Sequence, residues 1–203
     1  LGYVVAYAMI IVGESQRTGM MFCVLLSLWL SVLIRAFAWV MLLRNNGVVN
    51  EGLIAAGLID QPLRLVRNEI GVLIGMVHFM LPLAVLPIYS NMTGIQSRLI
   101  SAARGLGASP ARAFFLVFLP LSKPGIIAAT ILVFVFSLGF FITPALLGGG
   151  KVVMISEYIR VSFEETLRWG QATMLSTVLL FAVFLLLGLV ARLVDLRQVF
   201  GAR

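Results

Sequence analysis

An all-α polytopic membrane protein is the fold class that this sequence predicts, and the prediction comes from composition and hydropathy. Of the 203 residues, 61% are hydrophobic and 11% are charged, whereas soluble domains carry about 25% charged residues. Mean hydropathy is +1.09. Cys23 is the only cysteine, which excludes a disulfide framework and a multi-cysteine metal site. A soluble enzyme and a disordered regulator do not fit this composition.

Four apolar stretches approach or exceed the roughly 20 residues with which a helix crosses a bilayer. They are residues 19–43, 70–90, 125–147 and 173–191. The stretch 1–12 is apolar but too short to span, and the sequence starts at Leu1, so we expect a partial helix there, truncated from a longer one. We expect residues 1–191 to form one transmembrane domain, followed by a tail over residues 192–203.

The connections between these spans differ in charge on the two sides of the membrane. One side has two carboxylates and eight cations, which are Arg17, Arg98, Arg104, Arg112, Lys123, Arg192, Arg197 and Arg203. The other side has six carboxylates and six cations, which are Arg44, Arg64, Arg67, Lys151, Arg160 and Arg168. Because cytoplasmic connections are richer in Lys and Arg, we expect the loop 91–124 and the C-terminus in the cytoplasm.

The loop 91–124 is long for a connection, and such loops are often functional. A first short helix is predicted over residues 95–104, where Gly105-Leu106-Gly107 supplies a left-handed C-cap. Ser109-Pro110 begins a second helix, with Ser as N-cap and Pro in the first turn, and Pro120 is expected to end it. Such an apolar-faced hairpin suits a partner's groove. A hairpin on the membrane surface with no partner is the alternative.

The loop also contains a spaced pattern, formed by Ser101-Ala102-Ala103, Gly107 and Val117-Phe118-Leu119-Pro120. It resembles the EAA loop of ABC-importer permeases, in which Glu-Ala-Ala is followed by three residues, Gly, nine residues and Ile-x-Leu-Pro. Both spacings hold, although Ser101 replaces the usual Glu and Val117 the usual Ile. The hydroxyl of Ser101 can form a hydrogen bond, but one weaker than the charge-assisted bond of a glutamate. The resemblance implies an ATPase-coupling surface made of Ser101, Ala102, Ala103, Gly107, Val117, Leu119 and Pro120.

Other segments are similar to the spermidine/putrescine-type branch of these permeases, namely residues 31–39, 81–87, 119–125 and 143–149. The resemblance implies a type I ABC-importer transmembrane domain, a MetI-like helical bundle, in the bacterial inner membrane. It further implies a second permease subunit, identical or paralogous, two ATPase subunits that use ATP and Mg, and a periplasmic solute-binding protein. No cofactor is expected on this chain, and the solute that the resemblance suggests is a polyamine.

Arg35 lies well inside an apolar stretch, where a charge costs at least about 2.5 kcal/mol on insertion scales. Ser31, Arg35 and Trp39 recur every four residues, so they form one helix stripe. We expect this stripe to face the bundle interior, where it either lines the translocation pathway or gates it. A purely structural role for Arg35 is the alternative, and direct binding of a polyamine by its guanidinium is disfavoured by charge repulsion. His78 is expected to pack through a hydrogen bond, and a contact with the pathway is the alternative.

Two features of the connection between the predicted spans 125–147 and 173–191 are less specific. Gly148-Gly149-Gly150-Lys151 is similar to a phosphate loop, but Ala145 stands where the first Gly belongs and Val152 follows the lysine. An amphipathic helix is predicted over residues 152–168 on the periplasmic side, packed on the bundle or lying at the interface. Its expected ion pairs are Glu157 with Arg160 and Glu164 with Arg168.

Catalytic constellations are missing from the sequence, so we expect a transport subunit whose ATP is hydrolysed by another polypeptide. An ion-coupled secondary transporter or channel is the main alternative. It would require inverted repeats or coupling-ion carboxylates in the spans, and neither is recognisable here. A membrane scaffold without transport activity is a further alternative.

Overall fold

A computed structural model describes residues 1–193, which are helical and contain no strand. The helices are α1 (Gly2–Ile11), α2 (Glu14–Trp29), α3 (Val32–Leu43), α4 (Val48–Ala55), α5 (Glu69–Thr93), α6 (Ser97–Gly105), α7 (Pro110–Ala113), α8 (Leu119–Leu138), α9 (Ile142–Gly148), α10 (Ile155–Glu164) and α11 (Trp169–Leu193). A π-helical turn, Phe114–Phe118, joins α7 to α8. The predicted tail lies outside the described residues from position 194 onward.

Helical segments in this part of the chain are long and apolar enough to cross a bilayer. Four candidates are present, at Val32–Ala55, Glu69–Thr93, Pro110–Leu138 and Trp169–Leu189. The bilayer core requires every backbone N–H and C=O to be hydrogen-bonded within the protein, and a helix meets this requirement within one segment. The predicted all-α polytopic class is therefore confirmed.

Two of the predicted spans are interrupted. The span expected over residues 19–43 is divided between α2 and α3, because Ser31 takes an extended conformation (φ −54°, ψ 136°) as the N-cap of α3. The span expected over residues 125–147 is divided between α8 and α9. Pro144 has no N–H to donate to Phe140, so it fits the first turn of a new helix better than the interior of an old one.

The expectation that the loop's second helix ends at Pro120 is wrong, because the helix continues into α8. Leu119 N–H donates to Phe114 O, five residues back, in the π-helical turn. This wider turn lies directly before Pro120, where a regular α-helix would place the proline ring against the carbonyl of residue 116. Because of this i→i−5 hydrogen bonding, the helix continues past Pro120 into α8.

Contacts divide the chain into two compact units. Unit 1 comprises Leu1–Ser27, Leu81–Phe134 and the described residues from Leu187 onward, and unit 2 comprises Leu28–Met80 and Val135–Leu186. The core of unit 1 contains Ala6, Met9, Val24, Val85, Ile88, Met92, Phe118 and Ala129. The core of unit 2 contains Leu43, Leu65, Val72 and Leu147.

Within unit 2, the loop that follows α4 is held by one buried amide. Asn50 is completely buried. Its Nδ2 donates to Arg44 O at 3.2 Å and to Leu63 O at 3.0 Å, while its Oδ1 accepts from Leu63 N–H at 2.8 Å. One side chain therefore satisfies three backbone groups of two loops, which fixes the connection from α3 to α5.

The amphipathic helix is shorter than predicted and forms different ion pairs. Helix α10 ends at Glu164, and Arg160 pairs with Glu164 at 2.9 Å and with Glu165 at 3.0 Å. The predicted pairs are wrong for two reasons. Glu157 points inward, and Leu167 adopts a left-handed φ of 53° that takes Arg168 off the helix.

Glu157 lies in the first turn of α10 and is 8% exposed. Burial raises the pKa of its carboxyl, opposed by the charge of Arg160 and by a hydrogen bond from the Met154 backbone. One carboxylate oxygen, Oε2, has no hydrogen-bond partner within the described part of the chain. The charged form is therefore less favourable in the folded state than in the unfolded one.

We predict that Asn50→Ala lowers the free energy of unfolding by about 1–3 kcal/mol, because it removes the three hydrogen bonds that the buried Asn50 side chain forms with the backbone of Arg44 and Leu63. Thermal unfolding in detergent measures this change. Asn46→Ala, at an exposed position, is the matched control and should leave the midpoint unchanged. Equal midpoints for the two variants would contradict the role of Asn50.

A second prediction concerns pH. Since the pKa of Glu157 is raised on folding, its contribution to stability is fully present below the unfolded-state pKa and is lost as pH rises through the folded-state pKa. Glu157→Gln should therefore raise the thermal midpoint at neutral pH and leave it nearly unchanged at acidic pH. A scan of the midpoint against pH for both proteins checks this, and a variant less stable at neutral pH would contradict it.

Candidate functional site

The first candidate site is the turn at the end of α6, in unit 1. Gly107 has a φ of 89°, and its N–H donates to Arg104 O at 3.0 Å. Ala108 N–H donates to Ala103 O at 3.1 Å. These two bonds form a Schellman motif, which satisfies the last carbonyls of the helix and favours glycine at the left-handed position. The C-cap predicted from Gly105-Leu106-Gly107 is confirmed.

Helix α6 has an inner side and an outer side. Ile95, just before it, and Ile100 pack on the core of unit 1. On the outer side Ser101 and Ala102 are exposed, as is Gly107, whereas Ala103 is half-buried. Leu106 is 91% exposed at the tip of the turn. The hairpin thus presents small residues and one leucine on its outside, a surface that another polypeptide can approach closely.

The second half of the hairpin begins as predicted. Ser109 Oγ accepts from Arg112 N–H at 3.3 Å, and Pro110 occupies the first helical position. Downstream, Val117 and Leu119 are half-buried and Pro120 is exposed. The seven residues of the predicted coupling surface are therefore split by the structure. Ser101 and Ala102 lie on the exposed side of α6 and Gly107 lies on the turn that ends it, while Val117 and Leu119 belong to the π-helical turn and to α8.

Aromatic side chains join this hairpin to α1. The ring of Tyr7 lies edge-on to Phe114 at 5.2 Å and to Phe118 at 5.4 Å between centroids. Tyr3 Oη lies 3.1 Å from Ser122 Oγ, which in turn donates to Leu119 O at 2.8 Å. Aromatic pairs of this geometry contribute about 0.5–1.5 kcal/mol each beyond burial. The hairpin is thereby packed rigidly against a neighbouring helix.

These aromatic contacts were not predicted from the sequence. The signal available was the spacing of four residues between Tyr3 and Tyr7 and between Phe114 and Phe118, which places each pair on one helix face. Nothing in the sequence indicated that the two faces meet.

The second candidate site is the Arg35 stripe, in unit 2. Arg35 is 6% exposed, and its guanidinium carbon lies 4.3 Å from the ring centroid of Phe79. Phe79 packs on Phe140, with 4.1 Å between ring centroids. Stacking of a guanidinium on an aromatic face contributes about 0.5–2 kcal/mol. Phe79 was not recognised from the sequence, because an aromatic residue in an apolar span is unremarkable until its neighbour is known.

Trp39 completes the stripe one turn further along α3. Its Nε1 donates to His78 Nδ1 at 3.1 Å, and the two rings meet edge to face at 5.6 Å. Since the indole nitrogen can only donate, His78 must accept at Nδ1 and carry its proton on Nε2. The hydrogen-bonded packing expected for His78 is confirmed. Ser31, at the start of α3, is exposed and lies apart from these contacts.

A glycine on α5, Gly75, allows a close contact with α9. At Gly75 a Cβ would lie 2.6 Å from Thr143 Cγ2 and 2.7 Å from Leu147 Cδ1 of α9. Gly71, four residues earlier on α5, packs instead against the carbonyl of Leu65. Only one of the two glycines therefore supports contact between helices.

Comparison with known proteins gives a consistent result. A family described as binding-protein-dependent transport system inner membrane component matches residues 1–198. The spermidine/putrescine transport system permease protein PotB of Haemophilus influenzae is 36% identical over 187 residues, which cover 91% of this chain and 65% of that protein. PotB of Escherichia coli K12 is 34% identical over 188 residues, 92% of this chain and 68% of that protein. The chain thus spans about two thirds of the length of these relatives.

A solved structure shares the fold. It is the crystal structure of a bacterial ABC transporter involved in the import of the acidic polysaccharide alginate, with a TM-score of 0.73 and 18% sequence identity. The match covers 94% of this chain and 71% of that one. The predicted MetI-like ABC-importer fold is confirmed.

Proposed function

Because the chain belongs to the family of binding-protein-dependent transport system inner membrane components, we propose that it is the permease subunit of an ABC importer for spermidine or putrescine. It is a multi-pass inner-membrane protein. The observation that carries the proposal is the Schellman-capped turn of α6, which presents Ser101, Ala102 and Gly107 on an exposed surface at the spacing of the EAA loop.

In this proposal the turn of α6 receives the movement of a separate ATPase. The loop 91–124 and the C-terminus lie in the cytoplasm, and residues 1–191 act as one transmembrane domain. The ATPase uses ATP and Mg, and its closure pulls on Ser101, Ala102, Ala103 and Gly107. Val117, Leu119 and Pro120 lie in or beside the π-helical turn that leads into α8, so the pull reaches a membrane span without a flexible link.

Coupling of this kind requires that the partners contact the two transport states differently. A second permease subunit completes the pathway, and a periplasmic solute-binding protein delivers the solute. The contacts of Tyr3 and Tyr7 with Phe114 support the proposal, since a hairpin that is packed against α1 moves as one body with it. The hydroxyl of Ser101 offers the ATPase a hydrogen bond where other family members offer a charge.

Polyamines are proposed as the solute because the names of the two PotB relatives state spermidine and putrescine. The stripe of Ser31, Arg35 and Trp39 is proposed to line or gate the pathway. Aromatic faces attract cations, and the half-buried Trp39 is the stripe's aromatic residue, whereas the ring of Phe79 is already in contact with Arg35 and Phe140. Arg35 would repel a polyamine directly, but it lies against Phe79 and acts as a positioning residue for that ring.

We predict that Gly107→Pro uncouples ATP hydrolysis from transport. Proline holds φ near −65° and lacks the N–H that bonds to Arg104 O, so it cannot occupy a position with φ 89°. Spermidine uptake into proteoliposomes with the partner subunits should fall roughly tenfold or more. A change of this size lies within the usual range of coupling free energies between two linked sites. Membrane insertion and ATP hydrolysis should persist.

Two variants control this experiment. Gly107→Asn retains a residue that tolerates the left-handed region and should keep most of the uptake. Gly105→Ala changes a helical glycine whose added Cβ meets nothing within 4 Å, and it should be silent. Normal uptake by Gly107→Pro would contradict the coupling role.

A further inference from the structure

A strongly basic pocket lies in unit 2, where α3 ends and α5 begins. Its volume is about 1020 Å³. Four cations line it, contributed by three separate segments of the chain, namely Arg44, Arg64, Arg67 and Lys151, and Glu69 is the one carboxylate of its lining. Within residues 1–193 none of these cations forms an ion pair with a carboxylate. The excess positive charge is therefore available to an anion.

The backbone holds these segments in place. Arg67 has a left-handed φ of 59°, and its N–H donates to Leu147 O at 2.6 Å. The stem of Arg67 packs on Gly149, where a Cβ would collide with it. Lys151 N–H donates to Gly148 O at 3.1 Å. The glycine turn that is too irregular for a nucleotide phosphate loop thus places its lysine beside three arginines.

The pocket adjoins exposed apolar residues. Glu69, on its rim, is the first residue of a candidate span, and Ile70 directly after it is 52% exposed. Val153, which follows the pocket residue Val152, is also 52% exposed. In the topology proposed above, with the loop 91–124 in the cytoplasm, Glu69 begins the candidate span Glu69–Thr93 at its periplasmic end, so the pocket lies at that membrane surface. A cationic pocket with an apolar margin at this level matches an amphiphile with an anionic head.

We propose that this pocket binds the phosphate of an anionic phospholipid, such as phosphatidylglycerol, from the periplasmic leaflet. Arginine forks bind phosphate oxygens bidentately, and the amides of Asn45 and Asn46 add donors to the lining. Basic pockets between transmembrane helices are a known form of lipid site. A polyamine is not its ligand, because four cations repel a polycation. The inference rests on the membrane topology proposed above, but it does not depend on the proposed solute.

Native mass spectrometry of the purified chain in detergent, with added phosphatidylglycerol or phosphatidylcholine, tests the proposal. The test variant combines Arg64→Gln with Lys151→Gln. The matched control combines Lys123→Gln with Arg168→Gln, which removes the same charge from exposed positions outside the pocket. Phosphatidylglycerol should bind in preference to phosphatidylcholine. Its affinity should fall roughly 10- to 30-fold in the test variant, as expected for two interfacial cations, and should be unchanged in the control.

Three results would overturn the proposal. Equal losses in both double variants would mean diffuse electrostatic attraction rather than a site. Displacement of the lipid by millimolar inorganic phosphate alone would assign the pocket to a free anion. Unchanged lipid affinity, together with weaker association of the solute-binding protein, would make the pocket a docking surface for that protein. In each case the importer proposal would remain testable through Gly107.

Discussion

In the interior of a bilayer every backbone N–H and C=O must find its partner within the protein, and most features of this chain follow from that requirement. It makes the long segments helical, and two prolines, Pro120 and Pro144, coincide with changes in the helical path. At Pro120 the change is the π-helical turn Phe114–Phe118, which lets the helix continue into α8. At Pro144 the helix ends and a short one begins. The first change gives the loop 91–124 a continuous connection to a membrane span.

Features that depend on neighbouring residues in the chain could be predicted from the sequence. Glycine at 107 and serine at 109 satisfy the ends of their own helices, so the hairpin's C-cap and N-cap were both recognisable. The span predicted over residues 70–90 agrees with Glu69–Thr93, because an uninterrupted apolar run leaves few alternatives.

Contacts between distant residues could not be predicted in the same way. Such contacts depend on which parts of the fold meet. Examples are the stacking of Arg35 on Phe79, the aromatic contact of Tyr7 with Phe114, and the hydrogen bonds of Asn50. The break at Ser31 was missed because the flanking residues are as apolar as those of a continuous span. The cations of the basic pocket come from segments up to about a hundred residues apart, and only the fold brings them together.

Electrostatics sets the main constraint on a polyamine importer of this kind. A polycation has to cross a chain that carries a surplus of positive charge, +7 overall. Arg35 is buried, and its guanidinium lies against the aromatic ring of Phe79. The four cations of the basic pocket favour an anion in place of the solute. In this account Trp39 is the aromatic side chain that the stripe offers to a cation.

The central claim is that this chain passes conformational change between a solute-binding protein outside and an ATPase inside. The most direct measurement is ATP hydrolysis by proteoliposomes that contain the chain and its partner subunits, with empty and with spermidine-loaded binding protein. The account predicts that the loaded protein stimulates hydrolysis and the empty protein does so less. Failure of any ATPase to co-purify with the chain would contradict it and would favour an ion-coupled transporter. Stimulation that does not respond to spermidine or putrescine would retain the importer and reject the polyamine.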